Sequence, residues 1–188
     1  MVTIGALVSA LGWPRDATRL VIVTTSGDRI QDRALAQIGG KALWTKELDR
    51  ALLDGEIDCA VHSMKDVETI RPETIRIGAM LPRAAVEDRL IGAASIDALG
   101  DGAVIGTSSP RRAAQLKALR PDLQTTLLRG NVATRLARVE AGEIDATLLA
   151  AAGLDRLGLG EIGATIPVET LLAAVAQGAV GIECRADD

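Results

Sequence analysis

Apolar positions along the chain alternate between short continuous runs and repeats at helical spacing. Ile4, Leu7, Val8 and Leu11 recur every three or four residues until Gly12 and Pro14 interrupt them, which predicts a first helix. Residues 20–24 form an apolar, β-branched run that reads as a strand, and Thr25-Ser26-Gly27-Asp28-Arg29 reads as a polar turn. Gly39-Gly40-Lys41 opens a second helix, with Trp44, Leu48, Ala51 and Leu52 on one face and Gly55 at its end. Residues 57–61 and 74–81 predict two further strands, and Ser95 is placed as the cap of a short helix. Residues 103–106 read as a strand leading to Ser109 and Pro110, the N-cap and first residue of a helix that reaches Leu119. Residues 125–128 are the next strand, and Asn131 caps a helix that turns Val132, Leu136 and Val139 inward. Residues 147–150 are a strand, and the run 177–185 reads as a loop and a last strand. Strands alternating with helices predict an α/β protein with mostly parallel sheets. The Pro-led polar stretch 82–88 is the candidate crossing between two lobes.

Composition narrows this picture without changing it. The 188 residues suit one large domain or two small ones, and the 48% hydrophobic fraction is almost wholly Ala, Val, Ile and Leu. There is no Phe or Tyr, and Trp13 and Trp44 are the only aromatics. A formal net charge of −4 argues against a general nucleic-acid binder. Cys59 and Cys184 lie in apolar runs and read as reduced, buried thiols; no zinc-ligand spacing is present and no metal is expected. The start lacks the features of a signal peptide, and no apolar run reaches the ~20 residues of a membrane span, so a cytoplasmic protein is expected.

Candidate chemistry gathers in two places. Val61-His62-Ser63-Met64-Lys65-Asp66 brings the one histidine, a lysine and an aspartate to the end of a predicted strand. Open α/β sheets bind ligands at the carboxyl ends of their strands. The same residues read equally well as a polar exit in which Lys65 and Asp66 solvate each other. Gly39-Gly40-Lys41 could offer backbone N–H groups and an ammonium to an anion, or be a simple turn with a solvent lysine.

The second place is basic. Between Gly106 and Arg138 there are seven basic residues and one acid, Asp122. Arg111 and Arg112 fall in the first turn of their helix, and Arg129 just before the next. Cations there oppose the helix dipole, which calls for a compensating anion. Lys117, Arg120 and Arg138 come late in their helices and read as solvated. With no Phe or Tyr to stack on bases, a small polycarboxylate or polyphosphate fits this field better than nucleic acid.

Taken in order, several stretches resemble the hydroxymethylbilane synthase (porphobilinogen deaminase) family over essentially the whole chain. They are Ser26-Gly27-Asp28, Gly39-Gly40-Lys41 with Lys46-Glu47-Leu48, residues 61–66, Gly106-Thr107-Ser108-Ser109 with Arg111-Arg112, Leu128-Arg129-Gly130-Asn131 with Thr134-Arg135-Leu136, Ala152-Gly153-Leu154 with Arg156-Leu157-Gly158, and residues 177–183. The resemblance implies a transferase of tetrapyrrole (haem) biosynthesis. Such an enzyme condenses porphobilinogen head to tail with loss of ammonia, on a dipyrromethane cofactor, to give hydroxymethylbilane. It also implies two lobes like those of type II periplasmic binding proteins, each a mainly parallel sheet flanked by helices. Lobe one would be residues 1–81 plus 178–188 and lobe two residues 82–177.

By the same resemblance Asp66 is the catalytic carboxylate, stabilising a cationic intermediate and accepting pyrrole N–H groups. Arg111, Arg112, Arg129, Arg135 and Arg156 bind substrate and cofactor carboxylates, joined by Thr107, Ser108, Ser109, Lys65 and Lys41. Trp44 is either an aromatic beside the site or a core residue, Asn131 is first of all a cap, and His62 reads as a structural strand-end residue. The family begins with a strand ahead of the first helix seen here and continues into a third domain that carries the cofactor on a cysteine. Neither Cys59 nor Cys184 lies in that context, so a fragment without turnover of its own is expected, monomeric in its full-length setting. Its partners would be porphobilinogen and the growing polypyrrole, with no nucleic acid and no membrane. The competing reading is a non-catalytic, two-lobed small-anion binding module.

Overall fold

A computed structural model describes residues 2–29 and 44–188. The chain divides into two compact units, with crossings between residues 83 and 84 and between 178 and 179.

Among the described residues, the first unit holds the helices α1 (Val2–Leu11), α2 (Ser26–Arg29) and α3 (Lys46–Leu53) and the strands β1 (Ala60–Ser63), β2 (Ile75–Met80) and β8 (Val180–Arg185). The three strands form one sheet in the order β1-β8-β2, and both pairings are antiparallel. The parallel sheet expected for this lobe is therefore not what its described strands form. The returning strand β8 enters from a distant part of the chain and runs against both neighbours, a direction that local periodicity does not encode. Leu52 of α3 packs on Ala60 and Ile75, with Leu48 and Ile57 alongside.

The strand expected at residues 20–24 is also absent, and Ile22 is 85% exposed. A β-branched apolar run becomes a strand only where a neighbour supplies a hydrogen-bonding ladder. The polar turn expected just after it is the short helix α2, and Trp44 lays its ring against Gly27, where a Cβ would collide with it. The expected helix opening at Gly39-Gly40-Lys41 lies outside the described residues, as does Lys41 itself.

In the second unit, β3 (Asp88–Ile91), β4 (Val104–Gly106), β5 (Gln124–Thr126), β6 (Ala146–Ala150) and β7 (Ala164–Ile166) form a sheet in the order β5-β4-β6-β3-β7. β4 is parallel to both β5 and β6, whereas β3 runs antiparallel to β6 and β7. The sheet is thus mixed. Both of its faces are covered. Leu90, Ile105 and Leu148 pack with Leu116 of α4 (Pro110–Leu119) in one cluster. Ile91 and Leu149 pack with Val132, Leu136 and Val139 of α5 (Val132–Glu140) and with Leu154 of α6 (Ala151–Arg156) in another. Double coverage explains why β6 reads as a nearly continuous apolar run.

Two of the three capping residues read from the sequence hold. The Ser109 Oγ accepts the Arg112 N–H and the Asn131 Oδ1 accepts the Thr134 N–H, and each precedes its helix in extended backbone. Ser95 caps no helix; its Oγ accepts the Ala98 N–H within a turn. Gly178 sits at φ 83°, where an added Cβ would strike the Ala84 carbonyl oxygen, so the chain's return at this point needs glycine.

Candidate functional site

Among the described residues, each unit buries one carboxylate and surrounds it with basic side chains. In the second unit it is Asp88, which opens β3 and is 1% exposed. Arg112 grips it with two donors, Nε to Oδ2 at 2.9 Å and Nη2 to Oδ1 at 2.6 Å, and sends Nη1 to the Leu148 carbonyl at 3.0 Å. Arg111 adds Nη2 to Asp88 Oδ2 at 3.0 Å and a bond to the Leu172 carbonyl. Gln177 donates to Asp88 Oδ1 at 2.8 Å and to the Val86 carbonyl at 2.7 Å.

The dipole conflict at the start of α4 therefore finds an internal answer: two arginines in the first turn meet a buried carboxylate. Burial pushes the Asp88 carboxyl up, but hydrogen bonds and charge from Arg112, then Arg111 and Gln177, hold it below the usual carboxylate range. Sequence reasoning placed Arg111 and Arg112 at an anion and missed that part of the anion belongs to the protein. Asp88 lay in the stretch treated as a crossing, where nothing local marks it as buried.

Arg135 lies nearby on α5. Its Nε donates to the Gly130 carbonyl at 2.9 Å. Burial first, then the charges of Arg112 and Arg129, push its guanidinium below the ordinary arginine value. Arg112 and Arg129 are thus close enough to act on the charge of the half-buried Arg135, and an arriving carboxylate would offset that repulsion.

The hydroxyl residues line the approach to α4. Thr107 is buried, and its Oγ1 accepts the Ser109 N–H at 3.1 Å; Ser108 and Ser109 are half-buried. Arg156, at the end of α6, donates to the Gly178 carbonyl at 3.1 Å. Of the residues read as solvated, Lys117 and Arg138 are exposed and Arg120 is half-buried, and each also has a protein partner. Lys117 reaches the Leu123 carbonyl at 3.3 Å, Arg120 pairs with Asp122 at 2.8 Å, and Arg138 pairs with Glu143 at 2.8 Å.

In the first unit the buried carboxylate is Glu183 in the middle of β8, with no exposed surface. Arg71 clasps it through Nε to Oε1 at 2.7 Å and Nη2 to Oε2 at 2.9 Å, and His62 Nε2 lies 2.9 Å from Oε2. Arg71 also bonds Asp49 and reaches Glu68 at 2.9 Å, and Glu68 in turn accepts from Thr45 Oγ1 at 2.9 Å. Burial raises the Glu183 carboxyl, but the hydrogen bonds and charges of His62 and Arg71 leave it below its ordinary value.

His62 is thereby a structural ligand of Glu183. The exposed Lys65 and Asp66 lie on the single 3-10 turn Met64–Asp66 that directly follows β1, bracketed by His62 on one side and by Glu68 and Arg71 on the other. The turn is tied to β8 by the Met64 N–H, which donates to the Ala179 carbonyl at 3.1 Å. Neither Arg71 nor Glu183 carried a local signal in the sequence.

Among the described residues no cluster of metal-ligating side chains occurs, and no helix is long and apolar enough to cross a membrane.

Residues 3–188 match the family model described as "Porphobilinogen deaminase, dipyromethane cofactor binding domain". The porphobilinogen deaminase of Sphingopyxis alaskensis is 63% identical over 188 residues, covering 97% of this chain and 60% of that protein. That of Paracoccus denitrificans is 53% identical over 186 residues, with 97% and 59% covered. The chain thus spans about three-fifths of the length of these relatives. Among solved structures, the periplasmic aliphatic sulphonate binding protein of Escherichia coli aligns at a TM-score of 0.44 and 18% identity, over 73% of this chain and 47% of that one. A match over nearly every residue, with relatives above half identity, has one consequence: the chain belongs to the porphobilinogen deaminase family.

Proposed function

We propose that this chain supplies the substrate- and cofactor-binding part of a hydroxymethylbilane synthase, which joins porphobilinogen units head to tail with release of ammonia. The observation that carries the proposal is the half-buried Arg135, anchored through Nε on the Gly130 carbonyl with the charges of Arg112 and Arg129 close by. Porphobilinogen and its oligomers are polycarboxylates, and carboxylates placed on clustered guanidinium groups gain charge-assisted, bidentate bonds.

The same side chains suit dipyrromethane, which brings its own carboxylates and, when bound, supplies the acceptor end on which the chain of pyrroles grows. Arg112, Arg129 and Arg135 would hold it, with the Thr107, Ser108 and Ser109 hydroxyls and helix-start amides as further donors. Arg111, Arg156, Lys65 and Lys41 complete the proposed carboxylate set. Asp88 does preparatory work here: by fixing Arg111 and Arg112 it sets their direction before any ligand arrives.

Asp66 takes the catalytic role. Its exposed carboxylate accepts pyrrole N–H groups and holds the positive charge that grows on the substrate as ammonia leaves. The protein is proposed to work as a cytoplasmic monomer, without nucleic acid.

Titration calorimetry with porphobilinogen, with sulfate as the comparison, tests the reading. Binding of porphobilinogen that weakens by about 10–100-fold in Arg135→Gln supports it. Equal binding of sulfate and porphobilinogen would favour a general small-anion module and overturn it. In a complete deaminase containing this chain, Asp66→Asn is expected to abolish turnover while leaving porphobilinogen binding in place.

A further inference from the structure

The two cysteines, 59 and 184, are half-buried thiols with no disulfide between them. Cys59 directly precedes β1 and Cys184 lies in β8, at the outer end of the ladder the two strands share. Its registered partners are Ser63 with Val180, His62 with Gly181, Val61 with Ile182 and Ala60 with Glu183. Carried one step past the last registered pair, the same register would set Cys59, the residue just before β1, opposite Cys184.

The alternation of the ladder gives the class of this pair. The Met64 N–H donates to the Ala179 carbonyl, which makes 64 and 179 a hydrogen-bonded pair. Counting outward, 63 with 180 and 61 with 182 are non-hydrogen-bonded pairs, and 59 with 184 would be the next of that class. Such pairs bring their Cα atoms to about 4.5 Å, inside the ~4.4–6.8 Å that a disulfide accepts.

Both cysteines also fall on one face of the sheet, the face opposite Glu183 and His62. On that face Cys59 lines a cavity of about 480 Å³ together with Trp13, Leu20, Val23 and Val61, which gives a small oxidant access. A Cβ added at Gly78 would come within 3.1 Å of the Cys184 Sγ, so the glycine leaves this sulfur room to turn.

We infer that Cys59 and Cys184 form a reversible cross-strand disulfide when the chain meets a low-molecular-weight disulfide such as oxidised glutathione. One cysteine thiolate attacks the glutathione disulfide, forming a mixed disulfide and expelling one glutathione. The second thiolate then attacks the protein sulfur of that mixed bond and expels the other. Two protein thiols are oxidised, one glutathione disulfide is reduced to two thiols, and protons balance. The bond clamps β1, which leads directly into the turn carrying Lys65 and Asp66, onto β8. Burial pushes the Cys59 thiol up, reinforced by Asp58 and Cys184, so exchange is slow near neutrality and quickens as pH rises.

The test equilibrates the chain in a glutathione redox buffer, with and without denaturing urea, followed by acid quench and mass spectrometry. The expected product of the native chain is lighter by about 2 Da and yields a peptide linking residues 59 and 184. Its equilibrium constant should exceed that of the urea-unfolded chain by at least about tenfold, because a bond that suits the fold forms preferentially in it. Cys59→Ser and Cys184→Ser should each stop at the mixed disulfide. An equal or smaller constant in the native chain, or bonds only between chains, overturns the inference.

Discussion

The two carboxylates buried among the described residues are built alike and balanced differently. Glu183 is clasped by Arg71 and His62, and Arg71 is drawn further toward Asp49 and Glu68. Three carboxylates thus surround one guanidinium and one imidazole. Asp88 faces the opposite imbalance. Arg111 and Arg112 both close on it, and Arg135 stands near enough to Arg112 and Arg129 to be repelled by them. A centre whose cations are matched or outnumbered by its own acids holds strands together and asks nothing of solvent. A centre crowded with guanidinium groups is stable alone only to the extent that Asp88 compensates, and an added anion would be expected to improve it. The same residue types therefore make a clasp in one unit and a candidate binding site in the other.

Breaking the clasp should have the largest effect. Glu183→Gln leaves Arg71 buried against a neutral amide and is expected to cost about 3–5 kcal/mol of unfolding free energy, read by urea denaturation. Added polycarboxylate should not restore it, since Asp49 and Glu68 repel an incoming anion. Asp88→Asn should cost about 3 kcal/mol in the second unit. Here millimolar citrate is expected to recover part of the loss by binding to the released arginines. Recovery in Glu183→Gln, or none in Asp88→Asn, would remove the distinction between the two centres.

Acid titration sharpens the comparison from another side. Both carboxyls are held below their ordinary values in the folded protein. The stability they contribute is fully present above the unfolded carboxyl value, about pH 4, and is lost as pH falls through the lower folded values. The thermal midpoint should drop below about pH 4, and Glu183→Gln should flatten part of that slope.

Smaller effects lie outside the two carboxylates. Arg135→Gln gives up one bond to the Gly130 carbonyl but relieves repulsion, so its stability should move by less than about 1 kcal/mol while porphobilinogen affinity falls. Asn131→Ala removes the cap of α5 at about 1 kcal/mol, with little change in ligand affinity if Asn131 acts only as a cap.

Much of this was legible in the sequence wherever the physics is local. Ser109 with Pro110 and Asn131 with Thr134 begin helices because their side chains satisfy amides three residues on, and the structure has both. The buried run at β6 and the inward stripe of Val132, Leu136 and Val139 follow from periodicity alone. Residues 20–24 show where periodicity overreaches, because nothing in the run states whether a partner strand lies beside it. β3 and β7 went unread for the reverse reason: Asp88-Arg89 looks like solvent-facing polarity, and three residues at β7 are too few to establish a period.

Sequence alone determined the α/β alternation, the capped helices, the family, and the concentration of arginines between Gly106 and Arg138. It also supplied the conflict of those arginines with the helix dipole. Only the tertiary structure decided how the conflict is met, because Asp88 lies 24 residues from Arg112. Glu183 finds Arg71 across 112 residues in the same way. The strength of an ion pair depends on distance and burial after folding, and neither is a property of a residue's neighbours in the chain. For that reason the chain announces its positive charge, and the fold settles which part of it is already answered.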